Sequence, residues 1–389
     1  MTPNSPISPK ALDGIKVVDL SRVLAAPSAT QILADFGADV IKIERPDVGD
    51  ETRHWNPPNF IDTDGTATSA YFATINRNKR SLTLDITSDY GQSVIKELIK
   101  DADVFVENFK VGNLAKYGLD YDSLSAINPR LIYASLTGFG QTGTDAHKAG
   151  YDYIIQGLSG LMSITGETDG QPQKVGVAVV DLFSGLQLTV GILTALYART
   201  HTGVGQHVDV ALFDSSLAML ANVGMNHLAT GTRPPRLGNA HASIVPYQVF
   251  GASDGHFIIA CGNDGQFVKL CQALGQDWHT DERFATNPDR VAHRDTLIPI
   301  MQAVFDAHPR AYWLDLLEKS GVPCGSINSI DEALNLPQTH DRQMVVSFKN
   351  SPIKTLGNPI KLSATPATYR RPPPTLGQDN DEIFSKITK

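Results

Sequence analysis

Asp181 stands where an apolar run meets a helical pattern. The run Val175-Gly176-Val177-Ala178-Val179-Val180 is rich in β-branched residues and reads as a buried strand, and residues 182–198 read as an apolar helix. A carboxylate at such a junction has two uses. It can cap the helix by accepting hydrogen bonds from the first free N–H groups. It can also act as a nucleophile, held ionised by the positive end of the helix dipole. Spacing alone favours the cap.

A second group of residues could hold an anion. Arg45 ends one predicted strand, Asn76-Arg77-Asn78-Lys79-Arg80 precedes the next, and Asn108-Phe109-Lys110 terminates a third, with Lys116 shortly after. Arginine grips phosphate bidentately and lysine as a point charge. Phe109 offers a face for a purine ring. Cations and one aromatic near strand ends suit a nucleotide, although each alone is more often a solvated surface charge.

The elements that must position these groups follow a βα rhythm. Strands are expected at residues 15–20, 40–44, 81–85, 104–107, 131–135 and 207–210, with helices at 28–36 and 90–100. That alternation implies an α/β fold with a parallel sheet covered on both faces, binding its ligand beyond the carboxyl ends of the strands. After Gly203 the pattern changes. A hairpin at 247–260 and helices at 267–274, 296–307 and 311–320 describe a smaller α+β unit. The expected division is a large Rossmann-like domain over 1–205, a linker at 206–230, a small domain at 231–330, and a linker with a C-terminal return at 331–389. The stretch Arg370-Arg371-Pro372-Pro373-Pro374 cannot be helical.

Composition narrows the function classes. The chain has 389 residues, 41% hydrophobic and 19% charged, as ordinary globular proteins do. A net charge of −8 argues against a nucleic-acid partner. Three scattered cysteines, Cys261, Cys271 and Cys324, make neither a disulfide frame nor a zinc site, so a reducing cytoplasm is expected and no metal. Met1–Pro6 has no apolar core and reads as a short mobile tail. Ser184, Gln187 and Thr189 interrupt the most apolar helix, which is expected to fall short of a membrane span and to lie in the core.

Two familiar patterns fail their context tests. Gly138-Phe139-Gly140-Gln141-Thr142-Gly143 matches a dinucleotide fingerprint, but comes after about the fifth strand and opens no convincing helix. Gly251-Ala252-Ser253-Asp254-Gly255 matches a hydrolase elbow, yet sits between two strands, where Asp-Gly signals a hairpin turn.

The string Gly150-Tyr151-Asp152-Tyr153 followed by Asp181, the opening Leu12-Asp13-Gly14-Ile15-Lys16-Val17-Val18-Asp19, and Glu107-Asn108-Phe109 together resemble the family III CoA-transferases. The resemblance implies that Asp181 is the nucleophile, which reverses the reading from spacing. It implies that Arg45, Asn108, Phe109 and Lys116 contact the CoA nucleotide, and that Asn78-Lys79-Arg80 marks the same pocket. It also makes Gly262, Asn263, Gly265 and Gln266 a glycine-containing loop over the active site, though an ordinary turn reads equally well. His241 in a family-like stretch becomes a candidate acceptor contact. The related α-methylacyl-CoA racemases carry His where this chain has Tyr151. A phenol of ordinary acidity is a poor base at neutral pH but a serviceable oxyanion donor, so transfer is favoured over racemisation; a non-catalytic CoA-binding protein is the third reading. Leu24 replaces a polar residue of the formyl-CoA transferases, which speaks against formyl or oxalyl chemistry. Gly321–Gly325 and the Pro-rich tail look most like transferases of succinyl-CoA and small dicarboxylic acids. An acyl-CoA and a carboxylate are then the substrates, with no permanently bound cofactor and no membrane partner, and the assembly is an interlocked homodimer.

Overall fold

The computed structural model describes residues 10–387; the expected N-terminal tail lies outside them. Six strands form one parallel sheet: β1 (Lys16–Asp19), β2 (Asp39–Glu44), β3 (Arg80–Thr83), β4 (Val104–Glu107), β5 (Ile132–Thr137) and β6 (His207–Ala211). Their order is β3-β2-β1-β4-β5-β6. This is the doubly wound arrangement, whose direction of winding reverses between β1 and β4 and leaves a crevice there.

Alternate residues of each strand supply two separate cores. On one face Val17, Val40 and Val104 pack with Leu33 of α1 (Ala25–Asp35) and Leu188 of a long helix, Val179–Thr202. On the other, Val18, Ile41 and Phe105 pack with Ile95 and Ile99 of α2 (Asp89–Asp101). Burial on both faces explains the near-continuous apolar strands that made the rhythm legible.

The strand expected at 175–180 does not form. Val177 is 58% exposed, and the Val175 N–H is taken by Gln156 Oε1 at 3.0 Å rather than by a neighbouring strand. A β-branched run needs a ladder to pair with, and none is beside it. The chain instead turns directly into the 24-residue helix. That helix is long and apolar enough to cross a membrane by length and composition alone, with mean hydropathy 1.7 over 18 residues, contrary to expectation. Here one face lies in the sheet core. It approaches α1 so closely that a Cβ on Gly185 would meet Ala25 O at 2.4 Å.

The described chain divides into two units, one from Met1–Leu161, Val175–Leu220 and Pro337–Lys389, the other from Met162–Lys174 and Ala221–Leu336. The stretch 206–230 is not a linker: it holds β6 and the helices Leu212–Met219 and Ala221–Thr230. In the first unit the C-terminal segment covers edge strand β3, with Asp379 Oδ2 and Asn380 Oδ1 each accepting a strand N–H at 2.9 Å. Covering the edge this way blocks further strand addition. In the second unit, Tyr247–Ala252 and Gly255–Ala260 form the antiparallel hairpin, joined by Cys324–Ser326. Ser253 is a turn residue.

Candidate active site

The chain leaves β1 through a strained turn. Val23 has φ of 71°, a left-handed conformation that a β-branched residue adopts only at a cost of order 1–3 kcal/mol. Its N–H donates to Asp50 Oδ2 at 3.2 Å, and Asp50 is locked by the buried Lys42 at 2.9 Å. Lys42 holds the Asp50 carboxyl down to about 2 against the opposing effect of burial. Asn108, just past β4, donates to Arg22 O at 2.7 Å and accepts from Arg22 N at 2.9 Å. Several groups therefore fix Arg22 at the switch point.

Beyond the carboxyl ends of β1 to β4 lies a cavity of about 290 Å³. Arg45 and Lys116 line it and form no ion pair among the described residues. Phe109 forms part of its wall. Lys42 also faces it but is committed to Asp50. Two of the expected nucleotide contacts belong elsewhere. Lys79 precedes β3 and is fully buried, its ammonium held between Asp19 Oδ2 (3.1 Å), at the last residue of β1, and Pro27 O (2.9 Å). Its neighbours Asn78 and Arg80 are tied to the C-terminal segment and to Asp39. Asn108 has its amide on the Arg22 backbone and lines the adjoining cavity described next. Sequence reasoning missed Asp85, Ile86 and Thr87, which follow β3 and do line it. The rule that ligands sit past strand carboxyl ends was the available signal.

An adjoining cavity of about 280 Å³ contains Asp181. Arg22, Glu51 and Phe109 line both cavities. Asp181 is the third residue of the Val179–Thr202 helix and does not cap it. That role falls to Asp152, whose Oδ1 accepts from Val180 N at 2.8 Å and Asp181 N at 3.2 Å. Gln156 steadies the other Asp152 oxygen at 2.7 Å. No sequence signal announced a cap from so far along the chain. Half-buried Asp181 is not held ionised as expected: burial, then the neighbouring Asp152 charge, push its carboxyl up to about 7. Desolvation outweighs the helix dipole, whose first N–H groups Asp152 already occupies.

Tyr151 lies in the same cavity and is 66% exposed. Its placement depends on two glycines: Gly138 and Gly150 meet backbone to backbone, and a Cβ on Gly138 would stand 2.6 Å from Gly150 Cα. This accounts for the start of the dinucleotide-like string. Trp55, also lining the cavity, packs edge-on to Tyr71 at 4.9 Å; neither was anticipated. Beneath Phe109, Glu107 accepts its N–H at 2.7 Å, and burial pushes the Glu107 carboxyl up to about 7.

The remaining candidates are in the second unit. Asn263 caps the helix Asp264–Ala273 through the Gln266 N–H at 3.0 Å, while Gln266 Oε1 accepts from Gly262 N. Gly265 lies in the first turn, so this segment is a capped helix start. His241 Nδ1 accepts from Ser243 N at 3.0 Å, and its ring leans on Tyr247.

Residues 12–380 match CoA-transferase family III. The chain is 48% identical to succinate–glutarate CoA-transferase of Agrobacterium fabrum, covering 97% of this chain and 95% of that one. It is 43% identical to acetyl-CoA:oxalate CoA-transferase of Acetobacter aceti, with 96% and 94% covered. Among solved structures, a CAIB/BAIF family protein from Brucella suis aligns with a TM-score of 0.86 at 48% identity, covering 97% of this chain and all of that one. With a profile matched across nearly its whole length and relatives this similar, the chain belongs to the family III CoA-transferases.

Proposed function

We propose that this enzyme moves CoA from succinyl-CoA to a small dicarboxylic acid through an aspartyl-CoA thioester on Asp181. The observation that carries the reading is the pair of adjoining cavities. One ends in two unpaired cations and suits an anionic nucleotide; the other holds a carboxylate where a thioester at the end of an extended arm would arrive. The relatives named above act on glutarate and oxalate, both dicarboxylic acids, and others on mesaconate.

In the first step an Asp181 oxygen attacks the donor thioester carbonyl, expelling CoA thiolate and leaving a mixed anhydride. The thiolate then attacks the aspartyl carbonyl, releasing the donor acid and forming the aspartyl-CoA thioester. The acceptor carboxylate attacks that thioester, and the returning thiolate takes the acceptor acyl group, restoring Asp181. A carboxylate with its proton affinity raised to about 7 is a better nucleophile than a solvated one while remaining substantially ionised at neutral pH. The Tyr151 hydroxyl, in the same cavity, donates to the oxyanion of each addition in this reading. Among the described residues no histidine lines the Asp181 cavity, so the second proton-transfer group of a racemase has no counterpart among them.

We place the enzyme in solution as a homodimer. Leu182, Leu186, Val190, Leu193 and Tyr197 form one stripe along the nucleophile helix, each at least 40% exposed, and such a stripe marks an association surface. If the two chains interlock, sedimentation at nanomolar concentration will show a dimer; a reversibly formed folded monomer would contradict interlocking. The functional test is a screen of carboxylic acids with succinyl-CoA as donor, following product thioesters by mass spectrometry. Dicarboxylates of four and five carbons should be converted; hydrolysis alone, or no product with any acid, would defeat the reading.

A further inference from the structure

Arg22 is the cation common to both cavities, and its surroundings are unusual in three respects. Its backbone is fixed on both sides by Asn108, and the next residue is held in a strained turn by Asp50. Its guanidinium lies 4.8 Å over the Phe109 ring. Its ion pair with Glu51 is only half made: Nη1 meets Oε1 at 2.7 Å, while Arg22 Nε and Glu51 Oε2 are both buried with no hydrogen-bond partner.

Arginine and carboxylate normally pair as two parallel forks. Leaving one prong of each buried and idle costs free energy, so this pair does not sit at its own optimum. Glu51 is a carboxylate held loosely against a cation that faces the Asp181 cavity. Two other cations line that cavity. Lys148 is exposed and paired with Asp145, and Lys110 is exposed. Neither is held as rigidly as Arg22.

We infer that Arg22 is the specificity-determining residue for the second carboxylate of the acid, and that Glu51 stands in for that carboxylate in the free enzyme. When a dicarboxylic acid enters, its distal carboxylate displaces Glu51 and completes the fork with Arg22. Its proximal carboxylate is thereby directed at the carbonyl on Asp181. An acid with an apolar far end cannot make this exchange. This inference rests on the CoA-transfer reading above.

The test compares glutarate with pentanoate, which has the same chain length and no second carboxylate, as acceptors and as competing ligands. In a double-displacement reaction kcat/KM for the acceptor reports only its own half-reaction. Arg22→Gln should lose kcat/KM with glutarate by about 10- to 100-fold more than with pentanoate, the range of a charge-assisted hydrogen bond. Glu51→Gln, which weakens the competitor, should move the preference toward glutarate. Equal losses on both acids in Arg22→Gln, or a Glu51→Gln enzyme impaired on both alike, would make the pair merely structural and overturn the inference. A wild-type enzyme that transfers CoA to neither acid would overturn the CoA-transfer reading and this inference with it. Transfer with an unchanged preference in both variants would overturn this inference alone.

Discussion

The parallel sheet carries two sets of cations, one buried and one along a cavity, and the two sets do opposite things. Lys79 and Arg77, which precede β3, are buried and fully engaged, with Asp19 at 3.1 Å and Asp35 at 2.6 Å. At the carboxyl end, Arg45 and Lys116 are exposed along a cavity, without ion-pair partners among the described residues. The carboxylates follow the same division. Asp19 is held below its ordinary range by Lys79, Lys42 and two hydroxyls, although burial opposes them. Glu107 and Asp181 are both pushed up to about 7. The buried set is spent on the fold, and the cavity-lining set is left uncompensated, where a ligand can use it.

The sharpest way to break this contrast is Lys79→Met. It strands the buried Asp19 charge and should cost about 3–5 kcal/mol of stability in urea denaturation, while the folded fraction keeps its CoA affinity. A large affinity loss at unchanged stability would return Lys79 to the binding site.

Glu107 should behave in the opposite sense. Unfolded, it releases its proton near 4.5, and folded near 7. Between those values the folded state holds the extra proton, so stability falls as pH rises and is flat above. The loss is on the order of 3 kcal/mol. Glu107→Gln should therefore be more stable than wild type at pH 8 and lose that advantage toward pH 5, as read from melting curves at both values.

Arg45→Gln and Lys116→Gln should each weaken CoA binding by about 1.5–3 kcal/mol by calorimetry, with melting temperature unchanged. Unchanged affinity in both variants would remove the nucleotide from this cavity.

The smallest expected effect concerns Asp152. Asp152→Asn keeps an oxygen to cap the Val179–Thr202 helix but removes a like charge beside Asp181. With the Asp181 carboxyl raised to about 7, an acidic limb of the kcat/KM profile is expected there in wild type and should move to lower pH by under about one unit in the variant. A shift in the other direction would mean that Asp152 does not act through its charge.

The same division explains what could be read in the chain beforehand. Strands buried on both faces announce themselves by composition, so the sheet was legible, as was the Ser253 turn from its Asp-Gly signal. Polarity was harder. Lys79 and Arg45 look alike in a sequence, and only the tertiary structure shows that the Lys79 ammonium is buried on Asp19 while Arg45 lines a cavity. The run 175–180 has strand composition but no neighbour to pair with, a tertiary fact. Asp181 was correctly placed at a helix start. Its cap, however, comes from Asp152 through a chain reversal, and its raised proton affinity comes from burial. Neither has a local signature.

The central claim is that Asp181 becomes covalently acylated. The direct measurement is to incubate the enzyme with succinyl-CoA and no acceptor, quench with hydroxylamine, and map the modified peptide by mass spectrometry. The account predicts a hydroxamate on Asp181, absent in Asp181→Asn, which should still fold and bind CoA while turnover falls by orders of magnitude. A label on another residue, or near-normal transfer by Asp181→Asn, would contradict it.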